Sequence, residues 1–436
     1  MNRSLGLSIA DGALHAVMLG VSESYLGALA VELGYGNTAL ALLATVPLLV
    51  GAVSQLLAGQ LARFFGSHRN MVVSGALIQA FCNVGFFAIA WTQDKNFWIF
   101  LAVKTTFWFS GSIIAPVWNS WMIVLSSKID RERYFAWRSA AVYLALLVSY
   151  LGAGFLLEHG RKSDQLFDVF CVLFAAAAIV RLSSLIALAF HADVEIIKNQ
   201  IPFFRAIGKA IAESRWRMPI YVAVVMLGVH VAAPFYTPYM LRTLQLDYST
   251  YAMLTAISIL TKAVSFPTYH TVARHIGLKT TLFLAGLGVA LVAYFWGSLT
   301  TVAALFVVEI FSGIVWAGFE FSSFQIFIHN AGKGTEVYFF SLTSSMTGSM
   351  QLCGSLAGSA ALAHLRLAYK EIFLCSSVGR ALALLIFLPA FSPVAMFKTL
   401  PRIFTRIVSV RSVAGAEQHL ITHEEAEEAT RGDDIV

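Results

Sequence analysis

Long apolar stretches separated by short polar connections dominate the hydrophobic pattern of this 436-residue chain. Apolar residues occupy every face of a helix, as in 99–103 and 302–308, and do not alternate with polar ones as in a β-barrel strand. A membrane-spanning helix needs about 20 such residues. The pattern predicts twelve spans, at Ser8–Val31, Ala39–Leu61, Met71–Trp91, Phe97–Ser126, Tyr134–Leu157, Leu166–Phe190, Pro219–Leu241, Thr250–Val272, Thr280–Trp296, Val302–Ile328, Val337–His364 and Glu371–Phe391.

Composition supports this interpretation. Of the residues, 58% are hydrophobic and 12% are charged, whereas soluble domains carry about 25% charged residues. This balance excludes a soluble globular enzyme and a disordered chain. The sequence contains no phosphate-binding loop, no metal-ligand spacing and no ordered catalytic group, and its four cysteines lie in apolar stretches. We therefore expect neither enzymatic activity nor a metal or other cofactor.

The net charge of +6 is best explained by membrane topology. No basic patch is interleaved with aromatic residues, so we expect no nucleic-acid partner. If both termini are cytoplasmic, 19 Lys and Arg residues fall in cytoplasmic loops and six fall outside, as the positive-inside rule requires. The chain is therefore predicted to cross the plasma (inner) membrane several times, with both termini in the cytoplasm. The first apolar run carries Asp11, His15 and Glu23 and is interpreted as a retained helix.

The two halves of the chain repeat one another. Five short motifs recur in order at offsets between 202 and 211 residues, namely 18–21 with 226–229, 52–54 with 263–265, 62–66 with 273–277, 109–111 with 311–313 and 134–135 with 338–339. The repeat predicts a six-helix bundle at 1–192 and a second at 218–391. Between them lies a cytoplasmic central loop at 193–217. A cytoplasmic tail follows at 392–436, basic and amphipathic at first and acidic and disordered at its end.

The connection between the second and third spans carries a motif with two glycines and a basic end, Gly59-Gln60-Leu61-Ala62-Arg63-Phe64-Phe65-Gly66-Ser67-His68-Arg69. With this motif and its parallel halves, the chain resembles the major facilitator superfamily, whose motif reads G-x-L-a-D-r-x-G-r-[KR]. The acidic position is Ala62 here and Ala273 in the repeat. Segments 20–26 and 233–241 are similar to a prokaryotic branch of permeases without an assigned substrate.

The resemblance implies an all-α membrane protein of twelve helices, in two six-helix bundles related by pseudo-twofold symmetry. It also implies a monomeric secondary transporter that moves a small organic solute across the lipid bilayer by alternating access, with proton coupling. A transporter-like sensor and a lipid translocator are the alternatives. The gating residues implied by the motif and its repeat are Gly59, Arg63, Gly66, Arg69, Arg274, Gly277 and Lys279. In the family, helices 1, 4, 7 and 10 line the cavity.

Ionisable side chains at membrane depth are costly and therefore mark candidate functional sites. On the tenth span, Glu309, Trp316 and Glu320 share one face with a glycine between them. They suit a cation site or a proton relay, although one glutamate could simply lie near an interface. On the eighth span, Lys262 requires a carboxylate partner, and we predict Glu320, which leaves Glu309 as the freer, proton-exchanging acid. Anion binding and a structural ion pair both remain open for Lys262.

The first and fourth spans carry further candidates. Glu23 lies on a small-residue face and should point into the bundle, either as a proton-exchanging acid or as a satisfied buried one. Lys104, Trp118 and Asn119 follow one side of the fourth span, which suits an organic anion or a ring-bearing solute. However, Lys104 could extend to the outer interface, and Trp118 could be a packing residue. Asp11 with His15 is interpreted as an interfacial pair.

Three remaining candidates lie on the seventh and eleventh spans. His230 is either a site residue or a hydrogen-bonded filler, and Tyr236 lies where prolines are predicted to break the helix. Gln351 is the single candidate ligand of the eleventh span, which is rich in small polar residues. Arg181 and Arg380 occupy corresponding positions in the sixth and twelfth spans. We predict that both clamp the structure, for example through carbonyls at helix ends, and lie outside the substrate site.

Overall fold

A computed structural model describes residues 3–35, 37–193, 203–246, 248–332 and 334–390. Within these residues every regular element is a helix, and the helices up to Phe387 belong to one compact unit. The tail predicted at 392–436 lies outside the described residues, as do 194–202 of the central loop. The rest of that loop contains an 11-residue helix, Phe203–Glu213, which was not predicted.

Sixteen α-helices lie within the described residues. They are α1 (Arg3–Val21), α2 (Leu26–Glu32), α3 (Asn37–Ser54), α4 (Ala58–Phe65), α5 (His68–Thr92), α6 (Phe97–Leu125), α7 (Arg131–Lys162), α8 (Leu166–Ala189), α9 (Phe203–Glu213), α10 (Arg217–Ala232), α11 (Tyr236–Pro238), α12 (Tyr248–Ile276), α13 (Leu278–Ser298), α14 (Val302–Asn330), α15 (Glu336–His364) and α16 (Tyr369–Ala383). Short 3₁₀ segments lie at Glu23–Tyr25, Gln55–Leu57, Ala233–Phe235 and Leu384–Ala390, and a π-helix lies at Tyr239–Thr243.

Nine helical segments in the described residues are long and apolar enough to cross a membrane, against the twelve spans predicted. Of the other predicted spans, α12 and α15 have 29 residues each. Both are long enough, but their serine, threonine and glycine residues, and Lys262 in α12, lower their mean hydropathy. The third, α16, is a regular α-helix for only 15 residues. The helices that miss the criterion are thus short or rich in polar positions.

Two membrane segments break at corresponding points of the repeat. In the second half, α10 ends at Ala232 and Pro234 lies in the following 3₁₀ turn, as expected because proline cannot donate a backbone hydrogen bond. In the first half, α1 ends at Val21 and a 3₁₀ turn covers Glu23–Tyr25 without any proline. There the Ser24 hydroxyl donates to the carbonyl of Leu19 at 3.0 Å. The first-half break was not predicted.

Small residues set the closest helix contacts, as the sequence predicts for the first span. A Cβ atom at Gly20 would lie 2.1 Å from Ser149 Oγ, so α1 packs directly on α7. At Gly348, a Cβ atom would lie 2.9 Å from that of Ala52, which brings α15 against α3. The close approach of α15 to α3 and of α12 to α7 joins helices of the two sequence halves. These contacts bring together helices that line two of the cavities described next.

Candidate functional site

Three neighbouring cavities lie between the helices. The central cavity has about 520 Å³ and is lined by residues of α1, α5, α6, α7 and α8 together with Glu23 and Gln55. The interface cavity has about 290 Å³ and lies between α3, α6, α10, α14 and α15. It shares Gln55, Trp108 and Ser112 with the central cavity. A third cavity of about 290 Å³ is lined from α6, α7, α12 and α14.

The predicted face of the fourth span lines the central cavity. Trp108, Gly111, Ala115, Trp118 and Asn119 all contribute to its wall. A Cβ atom at Gly111 would lie 2.7 Å from the Gln79 side-chain nitrogen, so glycine there allows α5 to approach α6. The geometry therefore brings these α6 residues together as the sequence pattern suggested.

Glu23 also lines the central cavity, at the break after α1. The neighbouring Ser22 hydroxyl donates to Asn83 Oδ1 at 2.6 Å, which fixes this segment against α5. The charges of Glu23 and Lys104 interact electrostatically, although Lys104 does not line any of the three cavities. The carboxyl group of Glu23 therefore faces a space large enough for a solute.

Asp11 is buried, and its interpretation as an interfacial pair with His15 is wrong. Arg181 Nη1 lies 3.7 Å from Asp11 Oδ1, and the two side chains are 4% and 7% exposed. The Ser184 hydroxyl donates to the same carboxylate oxygen at 2.6 Å, while Arg181 Nη2 donates to Gln79 Oε1 at 2.6 Å. Arg181, which was predicted to lie outside the substrate site, lines the central cavity together with Asp11 and His15. The tertiary approach of α1 to α8 brings the opposite charges together.

Arg380, the repeat counterpart of Arg181, makes a different contact. Its Nη1 atom donates to the carbonyl of Val289 in α13 at 2.9 Å, and the residue is 2% exposed. Arg380 thus bonds a carbonyl, as predicted, but one in the middle of a helix. The repeat has kept the arginine and changed its partner.

Arg138 on α7 is a cavity residue that sequence reasoning missed. It lines both the central and the third cavity, and its guanidinium carbon lies 4.2 Å from the centroid of the Trp118 ring. Its Nε atom donates to the carbonyl and hydroxyl of Ser8, at 3.3 Å and 3.2 Å. The signal was present in the sequence, because an arginine inside an apolar span is costly wherever it occurs.

Lys262 and Glu320 form the ion pair that the sequence predicts. Lys262 Nζ lies 2.5 Å from Glu320 Oε1, and the side chains are 16% and 34% exposed. Two contacts to Tyr143 of α7 were not predicted. The Tyr143 hydroxyl donates to Glu320 Oε2 at 2.7 Å, and Lys262 Nζ lies 4.2 Å from the centre of the tyrosine ring. The pair therefore also connects the two sequence halves.

The other acid of the tenth span is less free than predicted. Glu309 Oε1 accepts a hydrogen bond of 3.0 Å from the indole nitrogen of Trp296 on α13. Trp316 packs edge to face on Phe319 with ring centroids 5.6 Å apart. Neither Glu309 nor Trp316 lines any of the three cavities, whereas Glu320 lines the third. The two glutamates of α14 consequently have different surroundings.

The remaining candidates are in three different environments. Gln351 lines the interface cavity together with Thr343 and Thr347 of α15. His230 lies 3.0 Å from the carbonyl of Met226 one turn earlier, the environment of a hydrogen-bonded filler. Tyr236 stacks on Phe373 at 4.6 Å within an aromatic cluster. The structure thus places Gln351 at a cavity wall, and His230 and Tyr236 away from the three cavities.

The predicted gating residues lie at one end of the bundle, here called the basic end, which contains the α4–α5 and α12–α13 turns. Tyr338 donates to the carbonyl of Gly59 at 3.3 Å, with the Arg63 guanidinium 5.4 Å from its ring centre. Arg69 pairs with Asp193 at 3.4 Å. Gly66 and Gly277 adopt positive φ values of 68° and 85°, a backbone conformation that favours glycine at both turns. Lys279 lies in the first turn of α13, directly after Gly277 and Leu278.

Asp130 supplies a carboxylate at the basic end although the motif position is Ala62. It precedes α7 and caps it by accepting from the backbone nitrogen of Arg133 at 3.1 Å. Its other carboxylate oxygen contacts Arg274 Nη2 and His270 Nε2 of α12. Burial alone would raise the pKa of Asp130, but the Arg133 and His270 hydrogen bonds and the Arg274 charge lower it below the ordinary value. An acid outside the motif thus bonds across the two halves.

We expect Asp130→Asn to lower the melting temperature in detergent, with a loss of about 1 kcal/mol in unfolding free energy, because asparagine caps the helix about as well as aspartate but removes the ionic contacts to Arg274 and His270. The pKa of Asp130 is lower in the folded state than in the unfolded state. The contribution of Asp130 to stability is therefore fully present above the unfolded-state pKa, and it is lost as the pH falls through the folded-state pKa. The difference from wild type should hold between about pH 5 and 8 and shrink below about pH 4. Glu132→Gln is the control. If the difference in melting temperature between Asp130→Asn and wild type already disappears at neutral pH, the ionic contacts of Asp130 do not stabilise the fold.

Comparisons with known proteins agree with this geometry. The family model described as Major Facilitator Superfamily matches residues 12–362. The fold is similar to that of the proton:xylose symporter XylE, with a TM-score of 0.70 and 14% identity over 90% of this chain and 95% of that one. For FucP, a transporter in the outward conformation, the TM-score is 0.69 and the identity is 13%, over 88% of this chain and 97% of that one. For the human organic anion transporter MFSD10, the TM-score is 0.67 and the identity is 13%, over 88% of this chain and 98% of that one. No curated protein matches by sequence.

Proposed function

Because this chain belongs to the major facilitator superfamily, and is thus a membrane transporter, we propose that it is a secondary active permease that moves a small organic solute by alternating access. The observation that carries the proposal is the central cavity, which has charged, amide and indole side chains in its wall. It adjoins an interface cavity lined from both sequence halves. The central cavity is lined from the first half, and a solute that extends from it into the interface cavity contacts both halves, which move against each other when access alternates.

The polar lining favours a water-soluble solute over a lipid. A lipid translocator needs a surface for acyl chains, whereas Asp11, Glu23, Asn119, Arg138 and Arg181 all contribute to the cavity wall. The volume of about 520 Å³ lies within the range of small-molecule sites. A transporter-like sensor would use the same pocket without net flux, so flux measurements separate these two functions. We place the protein in the plasma membrane as a monomer, with both termini in the cytoplasm.

We further propose that transport is coupled to protons through Glu23. This carboxyl group faces the cavity at a helix break, and its electrostatic partner Lys104 lies on α6. A carboxyl group that binds a proton together with the solute changes the charge of the loaded site. An imposed proton gradient could then drive accumulation. Lys262 and Glu320 are the runner-up pair, because they bond across the halves.

The test begins with purified full-length protein and a thermal-shift screen of metabolites, followed by flux measurements in proteoliposomes. We expect a stabilising solute to enter proteoliposomes but not empty liposomes, and to accumulate when the pH gradient is imposed. If no compound class shifts the melting temperature and no solute is transported, the transport function is rejected.

Glu23→Gln is expected to abolish accumulation driven by a pH gradient while it leaves solute exchange within about threefold of wild type. The amide keeps the size of the side chain but cannot exchange a proton. Glu158→Gln is a suitable control, because Glu158 lies on α7 with its side chain 60% exposed. Gradient-driven accumulation that persists in Glu23→Gln would remove Glu23 from the coupling mechanism, and the Lys262–Glu320 pair would then be tested next.

A further inference from the structure

The charges around the cavities do not cancel. Asp11 pairs with Arg181, Glu320 pairs with Lys262, and Glu23 interacts with Lys104. Arg138 is the remaining charged residue among those lining the three cavities in the described part of the chain. Its hydrogen-bond acceptors are the Ser8 carbonyl and hydroxyl, both of which are neutral. With these groups ionised, the seven side chains carry one net positive charge, and Arg138 and Arg181 share the negative charge of Asp11.

The donors of Arg138 are also incompletely used. Both of these hydrogen bonds involve Nε, and the two Nη groups have no hydrogen-bond acceptor among the described residues. The side chain lies between the central and the third cavity, where both spaces adjoin it. A guanidinium group presents its paired N–H donors in a planar fork that matches a carboxylate. Arg138 is therefore prepared to bind an anionic group that enters either space.

A second donor without a partner lies beside it. The indole nitrogen of Trp118 is buried and has no hydrogen-bond acceptor in the described part of the chain. The same tryptophan ring lies under the Arg138 guanidinium, 4.2 Å from its carbon atom, and lines both cavities. A buried donor without an acceptor is unfavourable, because it has lost its hydrogen bonds to water. An acceptor on a bound solute would relieve that cost.

Farther along the cavity, the unsatisfied group has the opposite character. Gln55 Oε1 is a buried acceptor without a donor among the described residues, and it lies where the central cavity meets the interface cavity. Trp108 lines the same junction and provides an apolar surface. This end suits a hydroxyl or amide donor on the solute. The cavity therefore has donors and a positive charge at one end and an acceptor at the other.

On the basis of the proposed transport function, we propose that the solute is a small organic anion whose carboxylate binds Arg138 and Trp118. Its uncharged portion extends past Trp108 and presents a hydrogen-bond donor to Gln55. Gly12 is part of this arrangement, because a Cβ atom there would lie 2.6 Å from Arg138 Nη2. The missing side chain leaves the guanidinium group its space against α1. The geometry thus assigns solute specificity chiefly to α6 and α7.

The first experiment measures the charge of the cavity without knowledge of the natural solute. Asn119 lines the central cavity, so Asn119→Cys is prepared with the four native cysteines replaced by alanine. Its rates of modification by sulfonatoethyl and trimethylammonioethyl methanethiosulfonate are compared. We expect Arg138→Gln to lower the anionic-to-cationic rate ratio by about tenfold, because opposite charges attract in a partly desolvated site. Arg133→Gln, in the first turn of the same helix, should leave it unchanged. An unchanged ratio in Arg138→Gln overturns the proposal.

The second experiment tests recognition of the carboxylate directly. Benzoate, 4-hydroxybenzoate and 4-hydroxyphenylacetate are each compared with their neutral primary amides by quenching of intrinsic tryptophan fluorescence. We expect the acids to bind more tightly than the amides, and Arg138→Gln to weaken acid binding by about 10- to 100-fold, in line with a lost charged hydrogen bond. Arg138→Lys should retain part of the preference, and Arg133→Gln all of it. Equal binding of acids and amides to the wild type overturns the anionic assignment.

Flux measurements separate this proposal from the transport function on which it rests. If proteoliposomes transport a neutral solute and Arg138→Gln transports it equally well, the anionic assignment fails and the permease function stands. If a carboxylate binds in an Arg138-dependent manner but is not transported, the site is confirmed and the permease function fails. Uptake of the carboxylate that Arg138→Gln abolishes and Arg133→Gln preserves supports both.

Discussion

Arg181→Met is expected to destabilise the folded protein by about 3–5 kcal/mol, the range measured when one partner of a buried ion pair is removed. Methionine retains the apolar part of the arginine side chain. The Asp11 carboxylate then keeps the hydrogen bond from Ser184 but loses its cation, and Gln79 Oε1 loses its donor. The Arg181 and Asp11 side chains are 4% and 7% exposed, so the charge that remains is largely desolvated. The measurement is denaturant-induced unfolding in mixed micelles, followed by intrinsic fluorescence.

Two further variants make this result specific. The double variant Asp11→Asn with Arg181→Met should be more stable than Arg181→Met alone, because it no longer contains a buried carboxylate without a cation. Arg161→Met, an exposed position in the last turn of α7, should unfold within about 0.5 kcal/mol of wild type. If Arg181→Met matches Arg161→Met, the ion pair contributes nothing to stability and the arrangement of α1 against α8 depends on other contacts.

The second large effect is expected at Lys262 and Glu320. Each single variant, Lys262→Met or Glu320→Gln, should lower the free energy of unfolding by about 2 kcal/mol. This loss is smaller than for a fully buried ion pair, because the two side chains are partly exposed. Lys262→Met leaves the Glu320 charge with a single hydrogen bond from Tyr143, and Glu320→Gln leaves the Lys262 charge over the tyrosine ring. The double variant should lose less than the sum of the two single losses.

The measurement is a double-mutant cycle in detergent, with unfolding free energies for all four proteins. Tyr143→Phe provides a matched control, because it removes the hydroxyl donor and keeps the ring beneath the ammonium group. We expect Tyr143→Phe to lower the free energy of unfolding by about 1 kcal/mol, the net contribution of one hydrogen bond. Strictly additive losses in the cycle would show that the Lys262 and Glu320 charges are not coupled, whatever their distance.

Features set by spacing along a single helix could be predicted from the sequence. The cavity face of α6 follows from residues three and four positions apart, and the packing of α1 on α7 follows from its small residues. Pro234 predicts the break after α10 because proline lacks the backbone donor. The Lys262–Glu320 pair was accessible because both residues lie near the middle of their spans, and a charge at that depth requires a partner.

Features that depend on which helices touch could not be predicted in the same way. Asp11 looked interfacial because its position along the first span did not reveal Arg181 on α8. Tyr143 and Asp130 are ordinary residues of α7 and its cap until the approach of α12 brings Lys262 and Arg274 to them. Arg138 is different, because its depth alone should have marked it.

The matching breaks at Glu23–Tyr25 and Ala233–Phe235 bear on how the two halves diverged after duplication. The shared interruption points to an ancestral repeat that already bent its first helix there, before either copy had its present chemistry. The second copy kept the bend with a proline and has Val231 at the position that corresponds to Glu23 in the repeat. The first kept it with serines, which leaves room for an acid at the turn. The same bend thus holds no ionisable side chain at Ala233–Phe235 in the second copy, whereas in the first copy it places a carboxyl group at a cavity wall.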